Sequence, residues 1–181
     1  MSRRGIILAT TVAAMSVVYA AIKPVPVRLV WNASASVPIG LYIIDPDGSF
    51  EVEDLVAVNT PEPLATLLAE RGYLPEGVPL LKRVRAHAGQ TVCRSDVVIT
   101  VDGREAGRAL ERDRAGRPLP AWGGCLRIPT GKLFLMNGEV RDSLDGRYFG
   151  LTSTDRIIGR ATPLWTDGRG IGCFEWRAQT R

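Results

Sequence analysis

Histidine and cysteine are scarce in this chain, and their scarcity limits the chemistry open to it. The 181 residues include one histidine, His87, and three cysteines, Cys93, Cys125 and Cys173. The cysteines lack the CxxC spacing of a zinc site, so we expect no metal, and no motif indicates a cofactor. A Ser-His-Asp triad would need His87, but no GxSxG elbow accompanies it. We therefore interpret His87 as a surface or turn residue.

The chain also lacks a run of basic residues. Its net charge is +4 and its pI about 9.2, but the arginines are scattered and form no basic stripe interleaved with aromatic residues. We therefore expect no nucleic-acid partner. What is present, 45% hydrophobic and 23% charged residues, suits one globular domain preceded by an anchor.

One long apolar stretch stands at the N-terminus. Two arginines precede an uncharged segment over 5–22, which as a helix spans about 27 Å. We expect a single-pass transmembrane helix over 5–22, a cytoplasmic segment over 1–4, and a domain over 23–181 on the periplasmic side of a bacterial inner membrane. A cleaved signal peptide is the alternative, because residues 19–21 include the small residues of a cleavage site.

The rest of the chain has the pattern of a mainly β domain with one short helix. Apolar residues alternate in short runs bounded by Gly, Pro and Asp. The predicted strands are 25–31, 41–44, 55–58, 80–86, 97–101, 132–136 and 157–164. The helix is predicted over 62–71, where three leucines share one face and Gly72 is the C-terminal stop. The polar, basic segment 103–122 is expected to be an exposed excursion between strands.

Two of the cysteines flank that excursion. A Cys93–Cys125 disulfide would close its base across about 32 residues and contribute about 3 to 4 kcal/mol, which suits an oxidising compartment. Cys173 is then left over near the C-terminus.

The candidate chemistry rests on serine and lysine. Ser36 stands just before Pro38, where a rigid turn would expose a nucleophile. The chain has three lysines: Lys23 adjoins the apolar segment, Lys132 follows a Thr-Gly turn signal, and Lys82 lies within an apolar strand. Burial disfavours an ammonium and leaves an amine that can accept a proton, whereas arginine stays charged. The pattern suggests a Ser/Lys dyad, and the alternative is a snorkelling lysine on a half-exposed strand.

Three ordered blocks of sequence resemble the type I signal peptidase family. They are Ser-Ala-Ser-Val-Pro at 34–38, the segment 81–89 that begins Leu-Lys-Arg-Val, and 142–150, Asp-Ser-Leu-Asp-Gly-Arg-Tyr-Phe-Gly, followed by 158–161. The resemblance extends over nearly the whole chain. It implies a signal-peptidase-like antiparallel β domain and a serine peptidase of the Ser/Lys type.

Two further segments and the small size are similar to the TraF-type peptidases of conjugative transfer. These segments are 32–42, with polar and glycine residues at alternate positions, and 117–125. The resemblance implies a membrane-inserted pilin precursor as substrate, whose acyl-enzyme is either hydrolysed or closed onto the pilin's own amino terminus. Two alternatives stay open: a general signal peptidase for exported proteins, and a non-catalytic anchored assembly factor of a conjugation or secretion apparatus.

The resemblance also implies roles for particular residues. Ser36 would be the nucleophile and Lys82 the general base that accepts its proton. The Ser34 hydroxyl would join the Ser36 backbone N–H in stabilising the tetrahedral oxyanion.

Three more residues would support the base. Ser143 would orient the Lys82 amine, and Asp145 and Arg147 would pair behind it; the alternative for that pair is a surface ion pair. Three positions depart from the broad family pattern. Val-Pro at 37–38 lacks the usual extra residue before proline, which fits the TraF-type variant. Gly-Glu-Val at 138–140 replaces Gly-Asp-Asn-Arg, and Gly146 stands where serine is common.

Overall fold

The computed structural model describes residues 3–22, 29–46 and 48–177, so part of the first predicted strand and Lys23 lie outside the described residues. An N-terminal helix, α1 (Arg3–Ile22), covers the predicted anchor over 5–22. Among the described residues, however, no helix qualifies by length and hydropathy as a membrane span.

The remaining described residues are mainly strands. Twelve strands lie in this part of the chain: β1 (Leu29–Asn32), β2 (Ile39–Asp45), β3 (Leu55–Val58), β4 (Leu80–Ala86), β5 (Thr91–Ser95), β6 (Val98–Val101), β7 (Arg104–Arg108), β8 (Gly124–Arg127), β9 (Lys132–Leu135), β10 (Leu151–Ser153), β11 (Ile157–Asp167) and β12 (Glu175–Trp176). Two short helices accompany them, α2 (Leu64–Glu70) and α3 (Gly146–Phe149).

The strands form two antiparallel sheets, as the sequence predicts for the fold class. The large sheet has the order β1-β2-β11-β3-β4-β9-β10, with β12 also paired to β11, and the small sheet has the order β7-β6-β5-β8. β4 is an inner strand that pairs with β3 on one side and with β9 on the other. The chain leaves β4 for the small sheet and returns from it to β9, so the small sheet is an excursion from the middle of the large one.

Three clusters of buried apolar side chains hold this arrangement together. One lies under β1, β2 and β3 and includes Tyr42 and Ile44, and a second joins the small sheet to β9 through Ile99 and Phe134. The third packs β3, β4 and β9 around Val84. β4 contributes one residue to each cluster: Leu81, Val84 and Ala86. From Lys82 to Ala86 its side chains are buried at alternate positions.

The structure corrects two of the predictions for local structure. The excursion over 103–122 is not strand-free, since β7 lies within it. The prediction of one short helix in the domain is wrong, because α3 follows α2. The Asp145 carboxylate caps α3 by accepting the Arg147 backbone N–H, and four residues are too few to show helical periodicity.

The disulfide pairing agrees with the prediction. Cys93 of β5 and Cys125 of β8 lie opposite each other in the small sheet and are joined. Cys173 is a free, exposed cysteine. The disulfide joins the first and last strands of the small sheet, β5 and β8, close to where the chain leaves β4 and returns to β9.

Candidate active site

Lys82 lies on β4, an inner strand of the large sheet, and is buried. Its side chain is 4% exposed, and its Nζ donates a 2.8 Å hydrogen bond to the Ser143 hydroxyl. Burial lowers the pKa of Lys82 from 10.5 to about 8; the Asp145 carboxylate opposes this shift and the Arg147 guanidinium adds to it. A lysine with this pKa is a neutral proton acceptor in a useful fraction of molecules near neutral pH.

Asp145 and Arg147 form an ion pair behind the lysine that is almost completely buried. Their side chains are 0% and 1% exposed, so the interpretation as a surface pair is wrong. Both carboxylate oxygens of Asp145 accept from the guanidinium, from Nε and from Nη2, each at 2.9 Å. A bidentate pair of this kind fixes direction as well as distance.

Arg147 also organises the loop that carries Ser143. Its Nη2 donates to the carbonyls of Val140 and Ser143 at 2.8 and 3.0 Å, and its Nη1 donates to that of Arg108 in the small sheet at 3.1 Å. Arg94 of β5 in turn donates to the Arg147 carbonyl. The guanidinium therefore does more than neutralise Asp145: it ties the loop to the small sheet.

Steric crowding explains why position 146, between the two ion-pair residues, is a glycine. A Cβ at Gly146 would lie 2.7 Å from the Leu135 carbonyl oxygen and 2.7 Å from the Phe134 ring. Side chains do not tolerate such a distance to backbone, so the serine that is common here in the family would not fit without displacing β9.

The two serines lie on a turn between β1 and β2. Ser34 is exposed and Ser36 half-buried, and their hydroxyl oxygens are 3.0 Å apart. The Asn32 side chain shapes the turn: its Oδ1 accepts from the Ser34 backbone N–H and hydroxyl, and its Nδ2 donates to the carbonyls of Ser34, Val37 and Pro38. Asn32 therefore supplies the hydrogen bonds that no strand partner offers here.

A second asparagine, Asn137, links the serine turn to the lysine strand. Its Nδ2 donates to the Ser36 carbonyl at 2.9 Å and to the Leu81 carbonyl at 3.2 Å, and its Oδ1 accepts from the Arg83 backbone N–H at 2.9 Å. The sequence reasoning did not single out Asn137. The available signal was an amide residue directly after the apolar run of β9, next to the 138–140 segment that departs from the family pattern.

A largely apolar cavity of about 760 Å³ opens beside the lysine. Lys82 and Asp145 line it, and α2, α3, β9 and β10 complete the wall with apolar side chains such as Leu67 and Phe149.

The remaining candidates lie apart from this centre. His87 is exposed at the end of β4, where its Nδ1 contacts the neighbouring Ala88 carbonyl, and Lys132 is exposed at the start of β9. Burial thus separates Lys82 from Lys132, as the strand pattern predicts.

Most of the sequence matches one known family. The profile described as "Signal peptidase, peptidase S26" matches residues 3–165. The chain belongs to the signal peptidase family. Within it, the chain is 29% identical over 153 residues to the plasmid transfer protein TraF of Escherichia coli, an alignment that covers 80% of each chain.

Two other proteins show more limited similarity. A Synechocystis protein named "Probable signal peptidase I-1" is 31% identical over 111 residues, which are 61% of this chain and 52% of that relative. A crystal structure of a signal peptidase I from Enterococcus faecalis V583 matches 62% of this chain and 97% of its own, with a TM-score of 0.38 and 21% identity.

Proposed function

We propose that this signal peptidase family member is a membrane-anchored serine endopeptidase that uses Ser36 as nucleophile and Lys82 as general base. The observation that carries the proposal is the buried Lys82 amine, with its pKa lowered to about 8 and its orientation fixed by Ser143. Such an amine needs no histidine to activate a serine, which suits a chain with one exposed histidine.

The proposed reaction proceeds through an acyl-enzyme. Neutral Lys82 accepts the Ser36 hydroxyl proton as the oxygen attacks the scissile carbonyl. The tetrahedral intermediate collapses, the peptide C–N bond breaks, and the Lys82 ammonium returns the proton to the leaving amine. Water or an amine then attacks the ester, again giving a proton to Lys82, which returns it to Ser36.

Ser34 is the proposed side-chain donor to the oxyanion, beside the Ser36 backbone N–H. In the structure its hydroxyl hydrogen is directed at Asn32 Oδ1, and the Ser36 hydroxyl is 3.0 Å away. Rotation about the Cβ–Oγ bond would direct that hydrogen to an oxygen held beside Ser36. The energetic value of such a donor is large in a site that excludes water.

The proposed substrate is a pilin precursor of a conjugation system, held at the inner membrane. The similarity to the plasmid transfer protein TraF over 80% of the chain supports this choice over general processing of exported proteins. The uncharged sequence at 5–22 supports an N-terminal anchor, and the Cys93–Cys125 disulfide supports a periplasmic domain. An anchored site would meet its substrate at the membrane surface.

The test compares intact masses of small membrane proteins from cells that carry the wild-type chain or Ser36→Ala. Ser95→Ala, an exposed serine at the end of β5, is the matched control. We expect one pilin-like precursor to disappear with wild type and Ser95→Ala but to persist with Ser36→Ala. A product of linear mass means hydrolysis, and a product lighter by one water means transfer to its own amino terminus.

Other results would contradict the proposal in different ways. Loss of many unrelated precursors would favour a general signal peptidase. No change with any of the three chains would favour the non-catalytic assembly factor. The same masses measured in cells expressing a chain that begins at residue 23 test the anchor, since cleavage at unchanged rate would contradict membrane attachment through 5–22.

A further inference from the structure

The hydrogen bonds of Asn137 join two parts of the site that are far apart in sequence. Ser36 and Asn137 are separated by 101 positions, and the Asn137 amide donates to the Ser36 carbonyl as well as to the Leu81 carbonyl. Leu81 and Arg83, its two partners on β4, are the residues on either side of Lys82. One amide group therefore contacts the backbone of the nucleophile residue and the backbone that flanks the base.

The surroundings of Asn137 leave this amide one orientation. The residue is 4% exposed, its Oδ1 accepts from the Arg83 N–H, and both hydrogens of its Nδ2 have carbonyl acceptors. A flipped amide would direct the NH₂ group at the Arg83 N–H and the oxygen at two carbonyls. The Asn137 backbone N–H also donates to Asp145 Oδ2, so the asparagine is fixed from the ion-pair side.

Asn32 and Asn137 make different kinds of contact with the serine turn. All partners of the Asn32 side chain lie within six residues of it, so it shapes the turn locally and places it against nothing else. Asn137 alone among the two asparagines contacts both the turn and β4.

We propose that Asn137 is a positioning residue that holds the Ser36 turn in register with the strand that carries Lys82. The inference rests on the proposed function, because it assigns Asn137 a role in that reaction. Asn137 touches neither the substrate nor the transferred proton in this role. Its loss should leave substrate binding and the titration of Lys82 intact and lower the rate at which bound substrate reacts, since small misplacements of reacting groups cost large factors in rate.

The test uses the full chain and a peptide that spans the cut site of the precursor found above. Asn137→Ser removes the donors to both carbonyls without adding charge, and Asn59→Ser makes the same change at the exposed end of β3. Relative to Asn59→Ser, we expect kcat per folded molecule to fall about 10- to 100-fold in Asn137→Ser. We expect KM to stay within about twofold, and the pH midpoint of kcat to stay near that of wild type, because Lys82 keeps its surroundings.

A conservative variant separates position from folding. Asn137→Gln keeps both donors on a longer side chain and should recover part of the lost kcat. Where Asn137→Ser fails to fold, Asn137→Thr replaces it, because threonine is closer to asparagine in volume, adds no charge and has no amide donors. A kcat within about threefold of the Asn59→Ser value, or a loss explained by the unfolded fraction, would overturn the inference.

The same measurements distinguish a failure of the inference from a failure of the proposed function. If wild type does not cleave, or Ser36→Ala cleaves equally well, the proposed function fails. Hydrogen exchange at the backbone amides of 34–37 then still decides whether Asn137 holds the turn. Faster exchange in Asn137→Ser than in Asn59→Ser supports the contact, and equal exchange overturns it.

Discussion

The lysine side and the serine side of the site are built in opposite ways. Lys82, Ser143, Asp145 and Arg147 are at most 4% exposed and are held by a central strand and a dense network of hydrogen bonds. Ser36 lies half-buried on a short turn. The difference follows from the roles that we propose. The base must be shielded from water so that its ammonium loses a proton more readily, whereas the nucleophile must be accessible to a peptide.

This contrast predicts different effects on stability for two changes that should have the same effect on activity. Ser36→Ala and Lys82→Met should both leave no detectable cleavage, because one removes the proposed nucleophile and the other the proposed proton acceptor. Ser36→Ala should leave the free energy of unfolding nearly unchanged. Lys82→Met should raise it by about 3 kcal/mol at pH 7, since the folded protein holds the ammonium with a pKa of about 8 rather than 10.5.

The stability gain of Lys82→Met should depend on pH. Because the folded pKa of Lys82 is below the unfolded value, the unfolded chain binds more protons between about pH 8 and 10.5. Wild-type stability therefore rises with pH in this window, and the advantage of Lys82→Met shrinks. Urea unfolding at pH 7 and pH 10 measures the two differences, and equal differences would show that Lys82 is not desolvated.

Breaking the buried ion pair should change stability by at least as much as Lys82→Met, and in the opposite direction. Asp145→Asn leaves the Arg147 guanidinium buried without its counter-charge and should lower the free energy of unfolding by about 3 to 5 kcal/mol. Glu175→Gln breaks the exposed pair with Arg169 and is the control, with little change expected. Urea midpoints of the two variants measure the effect, and similar midpoints would mean that the Asp145 pair contributes no more than a surface pair.

The strands of the two sheets differ in how far the sequence predicts them. The bounds of β3 and β4 are those predicted, because alternating apolar residues over 80–86 have a clear period. The strands β7 and β8 were missed because they are polar and largely exposed, and β8 is exposed at all four positions. Their pairing is decided by the neighbouring strands and the disulfide, which no local pattern records.

Within the site, the sequence predicts residue types better than contacts. A lysine in an apolar strand and a serine before proline are local features, and the family resemblance supplies their proposed roles. The carbonyl contacts of Arg147 and the bridging amide of Asn137 arise only when distant segments meet. The buried Asp145 carboxylate likewise accepts the backbone N–H of Asn137 just after β9, a contact that no local pattern records, so its sequence alone allowed a surface pair.

The exposed side of the site should show a rate effect without a stability effect. Ser34→Ala removes the proposed oxyanion donor and should lower kcat by about two to three orders of magnitude, because such a donor acts mainly in the transition state. The free energy of unfolding should change little, since Ser34 is exposed. Steady-state cleavage of a precursor peptide measures kcat; a loss as complete as that of Ser36→Ala would contradict the assignment of the two serines.

The smallest expected effect is a pH dependence of kcat. It tests whether the lysine side or the serine side of the site limits the rate. Only neutral Lys82 can accept the Ser36 proton, so kcat should rise about tenfold from pH 7 to a plateau above the pKa of about 8. His87→Ala and Cys173→Ser remove the single histidine and the free thiol and should leave this rise in place. A rise that disappears in either control would assign the titration to another group. A profile that is flat from pH 7 to 9 in wild type would mean that the serine side, through turn position or substrate access, limits the rate rather than the protonation of the base.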